Sequence, residues 1–322
     1  MRHEDGTPKV RLIVVNWNSG ALLDQCLGSL KALVWPESRL DLVVIDNAST
    51  DRSVDDLDTR HSGVRLICND ENLGFGANNL AMVDLDGIDY VGLVNPDVVV
   101  EAGWLAALSE VLEADVGLGA ACPKILLGDG AGPLVVQSTG SVVDRSGNSR
   151  DRGYGEPDGF AFDISDEVFA WCGASVLLRS DYLRDVGVFE ERFFLYYEDT
   201  DLSWRGQSRG WRYRYVPSAV AWHLHGASTG LIGHHPEVHQ LRNRLLLMTR
   251  NAPYRLVALA WTRSTMGLLQ KGGPGFRTRV WALGRAIRAL PWALTSRKVI
   301  RRQRVVADRV VARWLHPTTW NQ

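Results

Sequence analysis

Glu198, Asp199 and Asp201 stand directly behind the bulky run "FFLYY" (193–197) and just ahead of Trp204 and Arg205. Acidic groups are costly to bury and ordinarily face solvent, so three of them against apolar neighbours need a reason. One reading is the solvated first turn of a helix, where acids are favoured. The other is a general base held in a half-buried cleft. Three further polar clusters could hold a ligand: "NWN" (16–18), "DNASTD" (46–51) and "NPD" (95–97). Each could equally be a plain turn, because Asn, Asp, Ser and Pro are turn formers. "ENLGFGANN" (71–79) adds a glycine-rich turn that lets backbone approach a ligand. Arg242 and Arg244 in "LRNRLLLM" carry the planar fork that suits phosphate, or lie on a solvated helix face.

These clusters need a scaffold. "VRLIVV" (10–15), "LDLVVID" (40–46), "VRLIC" (64–68) and "YVGLVN" (90–95) are short β-rich runs. "ALLDQCLGSLKAL" (21–33) and "GANNLAMVDL" (76–85) place apolar residues at helical spacing, with a further helix expected around 51–60. Strand–helix alternation at this spacing predicts right-handed βαβ units and a parallel sheet. Continuous runs such as "LVVI" suit strands covered on both faces. Ligands of such sheets bind at the carboxyl ends of the strands, where the three polar clusters fall. After about residue 120 a Gly- and Ser-rich stretch reads as a hairpin and a long flexible loop. "FAWCGASVLLR" (169–179) returns as a strand, 211–226 as one or two more, and from Arg250 the pattern is helical.

At 322 residues, 45% hydrophobic and 23% charged, the chain has the balance of a soluble globular protein with room for a large core. It holds no run of about 18 apolar residues that could span a membrane. Its polar start lacks the apolar centre of a signal peptide, so a cytoplasmic location is expected. Cys26, Cys68, Cys122 and Cys172 are widely scattered, which suggests buried free thiols in place of a metal or redox site. The net charge of −1 hides an asymmetry. The last 73 residues hold 15 of the 36 Lys and Arg, with Asp308 as their single acid.

The ordered set "VVNWN", "VIDNASTD", "NLGFGANN", "NPD", "WCGASVLLR", "YYEDTDLSWR" and "WHLHGAST" resembles the inverting glycosyltransferases of family 2 over roughly residues 10 to 250. With "RNRLLLMTRNAP" (242–253), it is most like the bacterial rhamnosyltransferases that use a deoxythymidine-diphosphate sugar. The resemblance implies a GT-A fold: a Rossmann-like, mixed α/β nucleotide-binding sheet with helices on both faces, here carrying a C-terminal basic helical extension. It divides the chain into a catalytic domain (1–250) and a basic amphipathic helical region (251–322). The implied activity is metal-dependent sugar transfer from a dTDP- or UDP-sugar to a glycan or lipid-linked acceptor.

The same resemblance distributes roles. A departing nucleoside diphosphate needs its charge neutralised, which a divalent cation, Mg or Mn, does on oxygen ligands. "NPD" stands where the family carries its DxD motif, so Asp97 is the implied metal carboxylate, and Asn95 replaces the first acid. His223 in "AWHLHG" matches a metal-site histidine, with His225 a nearby alternative; an ordinary hydrogen-bonded strand histidine is the plainer reading. Asp46 matches the acid that accepts the imide N–H of uracil or thymine, with Asn16 and Asn18 near base or ribose and Asn72 and Asn78 toward the pyrophosphate. Asp199, second of the ED pair, is the implied base, and Glu198 shapes the acceptor site or orients it. Phe194 and Tyr196 would raise a carboxylate's proton affinity. Trp171, Arg242, Arg244 and His225 are candidates for phosphate or acceptor contacts. The helix-cap reading is kept for Asp201.

Two other functions fit less well. A catalytically inactive nucleotide- or glycan-binding scaffold would explain Asn95. A nucleotidyltransferase would place a basic glycine-rich loop after the first strand, and "NWNSGALLDQC" has one Gly and no basic residue. In the tail, Phe276, Val280, Leu283, Ile287 and Leu290 fall on one helical stripe, which Pro291 is expected to end. That stripe suits the inner face of the plasma membrane, packing on the catalytic domain, or a homodimer contact. No nucleic-acid motif accompanies it.

Overall fold

The computed structural model of the chain describes residues 6–224, 236–268 and 275–317. Four β-branched and aliphatic runs form the parallel strands β1 (Val10–Asn16), β2 (Leu40–Asp46), β3 (Arg65–Cys68) and β4 (Tyr90–Val94). β1 pairs with β2 from Val10↔Leu40 to Asn16↔Asp46, so two polar strand ends finish side by side. The crossovers carry α1 (Leu22–Lys31), α2 (Leu57–Arg60) and α3 (Asn79–Met82). The expected helix over 51–60 shrinks to α2, because the Asp51 side chain accepts from the backbone N–H groups of Gly20 and Ser53 and holds a turn there.

Beyond β4 follow β5 (Val98–Val100), α4 (Trp104–Ala114) and β6 (Leu118–Leu127), then β7 (Val135–Ser138) and the hairpin β8 (Ser141–Val143) and β9 (Ser149–Asp151). The order closes with β10 (Asp166–Val168), β11 (Ser175–Arg179), α5 (Ser180–Val186), α6 (Glu198–Arg209) and β12 (Arg212–His223). The main sheet runs β10-β12-β6-β11-β4-β1-β2-β3. β11 is antiparallel to both β4 and β6, which makes the sheet mixed. Period-2 alternation sends Leu12 and Val14 into the core under α1 and α4, and Ile13 into the core under α3 and α5. Both faces are therefore covered.

Three helices follow: α7 (Pro236–Asn251), α8 (Tyr254–Met266) and α9 (Phe276–Gln303), ahead of the single turn α10 (Asp308–Val311). They share a third core with Phe169, Phe193 and Trp204, to which Leu245–Met248, Leu283, Ala286, Ala293 and Val311 contribute. Pro291 does not end the helix; α9 runs through it. A proline removes one helical N–H donor, but Leu283 and Ala286 before it and Ala293, Arg297 and Ile300 after it are all buried. Packing on both sides outweighs the lost bond. The apolar stripe divides accordingly: Leu283 is core, whereas Phe276, Val280 and Ile287 remain exposed. No helix among the described residues is long and apolar enough to cross a membrane. All four cysteines are free, and Cys68 is exposed where burial was expected.

Candidate active site

A cleft of about 470 Å³ opens at the carboxyl ends of β1 and β4. Trp17, Asn47, Asn72 and Asn95 line one side, and the segment 194–200 lines the other. The Asn16 side chain is fully buried and donates to Asp46 Oδ1 (2.7 Å), Ser49 Oγ (3.0 Å) and Ser53 Oγ (2.9 Å). It thus ties the end of β1 to the turn after β2. Asp46 also accepts from the Ser49 hydroxyl (2.6 Å) and backbone N–H (3.0 Å). Asn18, at a positive φ of 52°, accepts from the N–H of Thr50 (2.7 Å) and of Asp51 (3.1 Å). Asn72 caps the glycine-rich turn by accepting from Gly74 N–H (2.8 Å). Asn78 is buried and donates to the Phe75 carbonyl (2.8 Å), so it braces this turn instead of facing the cleft.

The acidic cluster is not a solvated cap. Glu198 is 6% exposed and Asp201 0%, and no side chain caps α6. Asp201 instead sits between Arg205 Nε (2.9 Å) and Arg250 Nε (2.9 Å), with Asn251 donating as well (2.8 Å). Burial alone would raise its pKa, but the two guanidinium groups hold it below the ordinary carboxylate range. Asp199 is half-buried and faces the cleft. Its Oδ2 accepts from Gly173 N–H (3.2 Å) and its Oδ1 from Thr200 N–H (2.6 Å). Burial raises its pKa against those bonds, which makes it a stronger base than a solvated aspartate. Glu198 is pushed well above the usual range, by burial first and by Asp199 second, and its Oε2 is buried without a hydrogen-bond partner.

The backbone delivering these acids is strained. Phe194, Tyr196 and Tyr197 have φ of 65°, 68° and 74°, and such conformations cost on the order of 1–3 kcal/mol each. Asn243 of α7 holds them: its buried Nδ2 lies 2.9 Å from the Phe193 carbonyl and 2.8 Å from those of Leu195 and Tyr196. Gly74 supports the same segment from across the cleft. Phe75 N–H donates to the Phe194 carbonyl (2.8 Å), and a Cβ on Gly74 would run into that carbonyl.

On the floor, β5 and β12 bring a carboxylate and an imidazole together. His223 Nε2 is 3.0 Å from Asp97 Oδ1, and His223 Nδ1 is 2.6 Å from Gln137 Oε1. Nδ1 donates to Gln137, which leaves Nε2 as the ring nitrogen turned toward Asp97. One oxygen and one nitrogen donor, with positions left for diphosphate oxygens, fit a divalent cation. Among the described residues no cluster of three or more His, Cys, Asp or Glu supplies a fuller ligand set. His225 lies outside the described residues.

Other expected contacts are placed elsewhere. Trp171 is fully buried, edge-to-face on Phe189 at 6.0 Å, and has no surface to offer an acceptor. Arg242 donates to the Arg192 carbonyl (2.9 Å) and Asn243 Oδ1 (2.6 Å), away from the cleft. Arg244 lines a neighbouring cavity. Sequence reasoning missed Asp151, Gln137 and Asn243. Asp151 ends β9 inside the cleft, and burial, with the Asp199 charge adding to it, raises its pKa to about 6. Its signal was lost in "GNSRDRG", which reads as loop; alternation across the β8–β9 hairpin is the cue that could have found it.

The description "Glycosyl transferase family 2" fits residues 12–171. An N-acetylglucosaminyl-diphospho-decaprenol L-rhamnosyltransferase of Mycobacterium tuberculosis is 28% identical over 280 residues, covering 80% of this chain and 89% of the relative. Among solved structures, GalNAc-T7 with UDP, GalNAc and Mn2+ superposes with a TM-score of 0.66 at 13% identity, over 91% of this chain and 57% of that one. TarS 1–349 of S. aureus with UDP-GlcNAc gives 0.58 at 16%, over 95% and 89%. At such identities the two structures speak for the fold alone.

Proposed function

We propose that the chain, a glycosyltransferase similar to family 2 and of GT-A fold, moves a sugar, rhamnose first among the candidates, from a dTDP- or UDP-linked donor to a hydroxyl of a lipid-linked glycan, with inversion. The observation that carries this reading is Asp199. It is a half-buried carboxylate of raised proton affinity, fixed by Gly173 and Thr200 in the cleft that Asn95 and His223 also line. In a single displacement Asp199 takes the acceptor O–H proton as the oxygen bonds to the anomeric carbon and the bond to the diphosphate breaks. The nucleoside diphosphate leaves from the opposite face. Protonated Glu198 is suited to donate a hydrogen bond to an acceptor hydroxyl and so orient it. Asp97 and His223 would hold a divalent cation, which when bound neutralises charge on the leaving diphosphate. Asp46, fixed by Asn16 and Ser49, is the group to accept a hydrogen bond from a pyrimidine imide N–H.

The acceptor reading draws on the mycobacterial relative, named for an N-acetylglucosaminyl-diphospho-decaprenol substrate. Such an acceptor would put the enzyme at the cytoplasmic membrane face, held peripherally by basic α9. Replacing Asp199 by Asn should leave donor binding intact and lower turnover by roughly 100-fold or more, the usual worth of a positioned base. Normal turnover would remove Asp199 from the role. Thymidine or uridine diphosphate should stabilise the protein in Mg or Mn; equal affinity for adenosine or guanosine diphosphate would overturn the part given to Asp46.

A further inference from the structure

A second cavity of about 860 Å³ adjoins the cleft and shares Ser149, Arg150, Tyr197 and Gln240 with it. Four arginines line it: Arg150 from β9, Arg244 from α7, Arg263 from α8 and Arg279 from the first turns of α9. Glu237 is the lone acid among the lining residues. Arg244 is largely enclosed. It donates to two neutral oxygens, Asn148 Oδ1 (2.6 Å) and Ser264 Oγ (2.6 Å), and its buried Nε has no partner. No carboxylate among the described residues pairs with it within 4.0 Å. A guanidinium withdrawn from water without a direct ion pair is costly, and burial lowers its pKa although the Asp144 charge, at longer range, acts to raise it. The start of α9, Gly275 and Thr278, meets the same cavity, and the dipole of a helix start favours an anion. On those same turns Phe276 and Val280 are exposed.

We propose that this cavity binds the diphosphate of a lipid-linked acceptor, its sugar reaching through the shared wall to Asp199 and its prenyl chain leaving along the exposed apolar residues of α9. The inference rests on the acceptor class proposed above and adds the place where it is held. Arginine is the residue suited to the task, since its fork grips two phosphate oxygens at once. Arg150, Tyr197 and Gln240, on the shared wall, lie between the anion and the reacting hydroxyl.

Binding of farnesyl diphosphate to the full chain, with excess uridine diphosphate filling the donor cleft, tests this. The Arg263→Ala, Arg279→Ala double variant should bind it about tenfold or more weakly, the loss of at least one charge-assisted contact. Farnesol should bind neither protein. The Arg263→Lys, Arg279→Lys pair keeps the charge and should recover part of the affinity; equal loss in both pairs marks a packing effect and overturns the site. So does unchanged binding in the alanine pair. Inorganic pyrophosphate binding as tightly as farnesyl diphosphate would reduce the cavity to a free-anion site and remove the lipid. Hydrolysis of the donor sugar nucleotide, followed separately, judges the catalytic reading; its failure leaves the cavity result standing on its own.

Discussion

Asp97 Oδ1 and His223 Nε2 lie 3.0 Å apart although 126 residues separate them in the chain, and Gln137 Oε1 fixes the other ring nitrogen at 2.6 Å. The pairing of β5 with β12, His223 opposite Val98, makes this contact. A divalent cation would be held by both groups, with Gln137 keeping the ring in the tautomer that leaves Nε2 free to bind.

Gln137 is therefore a sensitive probe of metal use. Gln137→Leu should weaken Mn-dependent nucleotide binding by roughly 10- to 100-fold, the usual effect of losing such a partner, and leave metal-free binding unchanged. A manganese titration of nucleotide affinity reads this directly. Full transfer activity in excess chelator would exclude the cation and leave arginines to neutralise the phosphates.

Asn243 offers a test of positioning. Its amide holds three carbonyls of the strained segment that delivers Glu198 and Asp199. Asn243→Ala should lower kcat by one to two powers of ten, on the order of what misplacing a reacting group costs, with little change in donor KM. A KM effect at unchanged kcat would show that the segment binds the donor instead.

Asp151 and Asp199 line one cleft, and the Asp199 charge adds to burial in raising the proton affinity of Asp151. As the proposed base Asp199 would work as the anion, so the rate should rise with pH as it loses its proton, at a higher pH than for a solvated aspartate because burial raises its pKa. Asp151→Asn removes one charge and should carry this acid limb to lower pH. The pH dependence of kcat/KM measures the shift, and an unmoved limb would separate the two carboxyls electrostatically.

Arg250 tests the core beneath α6. It is 3% exposed and pairs with Asp201 and Glu190. Arg250→Met would leave buried Asp201 with Arg205 and Asn251 as its remaining partners and should cost about 3 kcal/mol of stability. Asp201 has a depressed pKa in the folded chain, so its contribution is present above its unfolded pKa and is lost as pH falls through the folded value. Urea unfolding of the variant should therefore show a shallower loss of stability on acidification than the parent.

What the sequence disclosed follows from how local each signal is. β1, β2 and β4 are short apolar runs, and their polar ends were visible as Asn16, Asp46 and Asn95 because strand and turn adjoin. β6 escaped notice because Pro123 and Lys124 interrupt "LGAACPKILL". Pro123 is tolerated in this internal strand because the register shifts opposite it, between Val216 and Val220, and Lys124 is paired by Asp158 and Asp163. The expected strand 169–179 shortens to β11 because the backbone of its first half serves the site: Trp171 N–H turns to Ser203 Oγ and Gly173 N–H to Asp199. Asn243 was hidden in plain view between Arg242 and Arg244. Its task lies about fifty residues back in the chain, and no local pattern reports such a distance.

The exposed side of α9 carries the last expectation. Phe276, Val280, Ile287 and Leu294 are 42–57% exposed, and at 3.6 residues per turn they fall within about 40° of one another. Arg277, Arg288 and Lys298 are exposed beside them, while the adjoining side, with Ala286, Ala293 and Arg297, is buried. An apolar row flanked by cations suits the interface of an anionic bilayer, and each basic residue near such a surface adds about 1 kcal/mol. The full chain should float with anionic vesicles at low salt and be released as salt rises. Ile287→Asp with Leu294→Asp, both on solvent-facing positions, should abolish flotation without lowering the unfolding midpoint. If parent and variant both stay in solution at low salt, the row is an ordinary helix surface and the enzyme meets its acceptor without a membrane anchor.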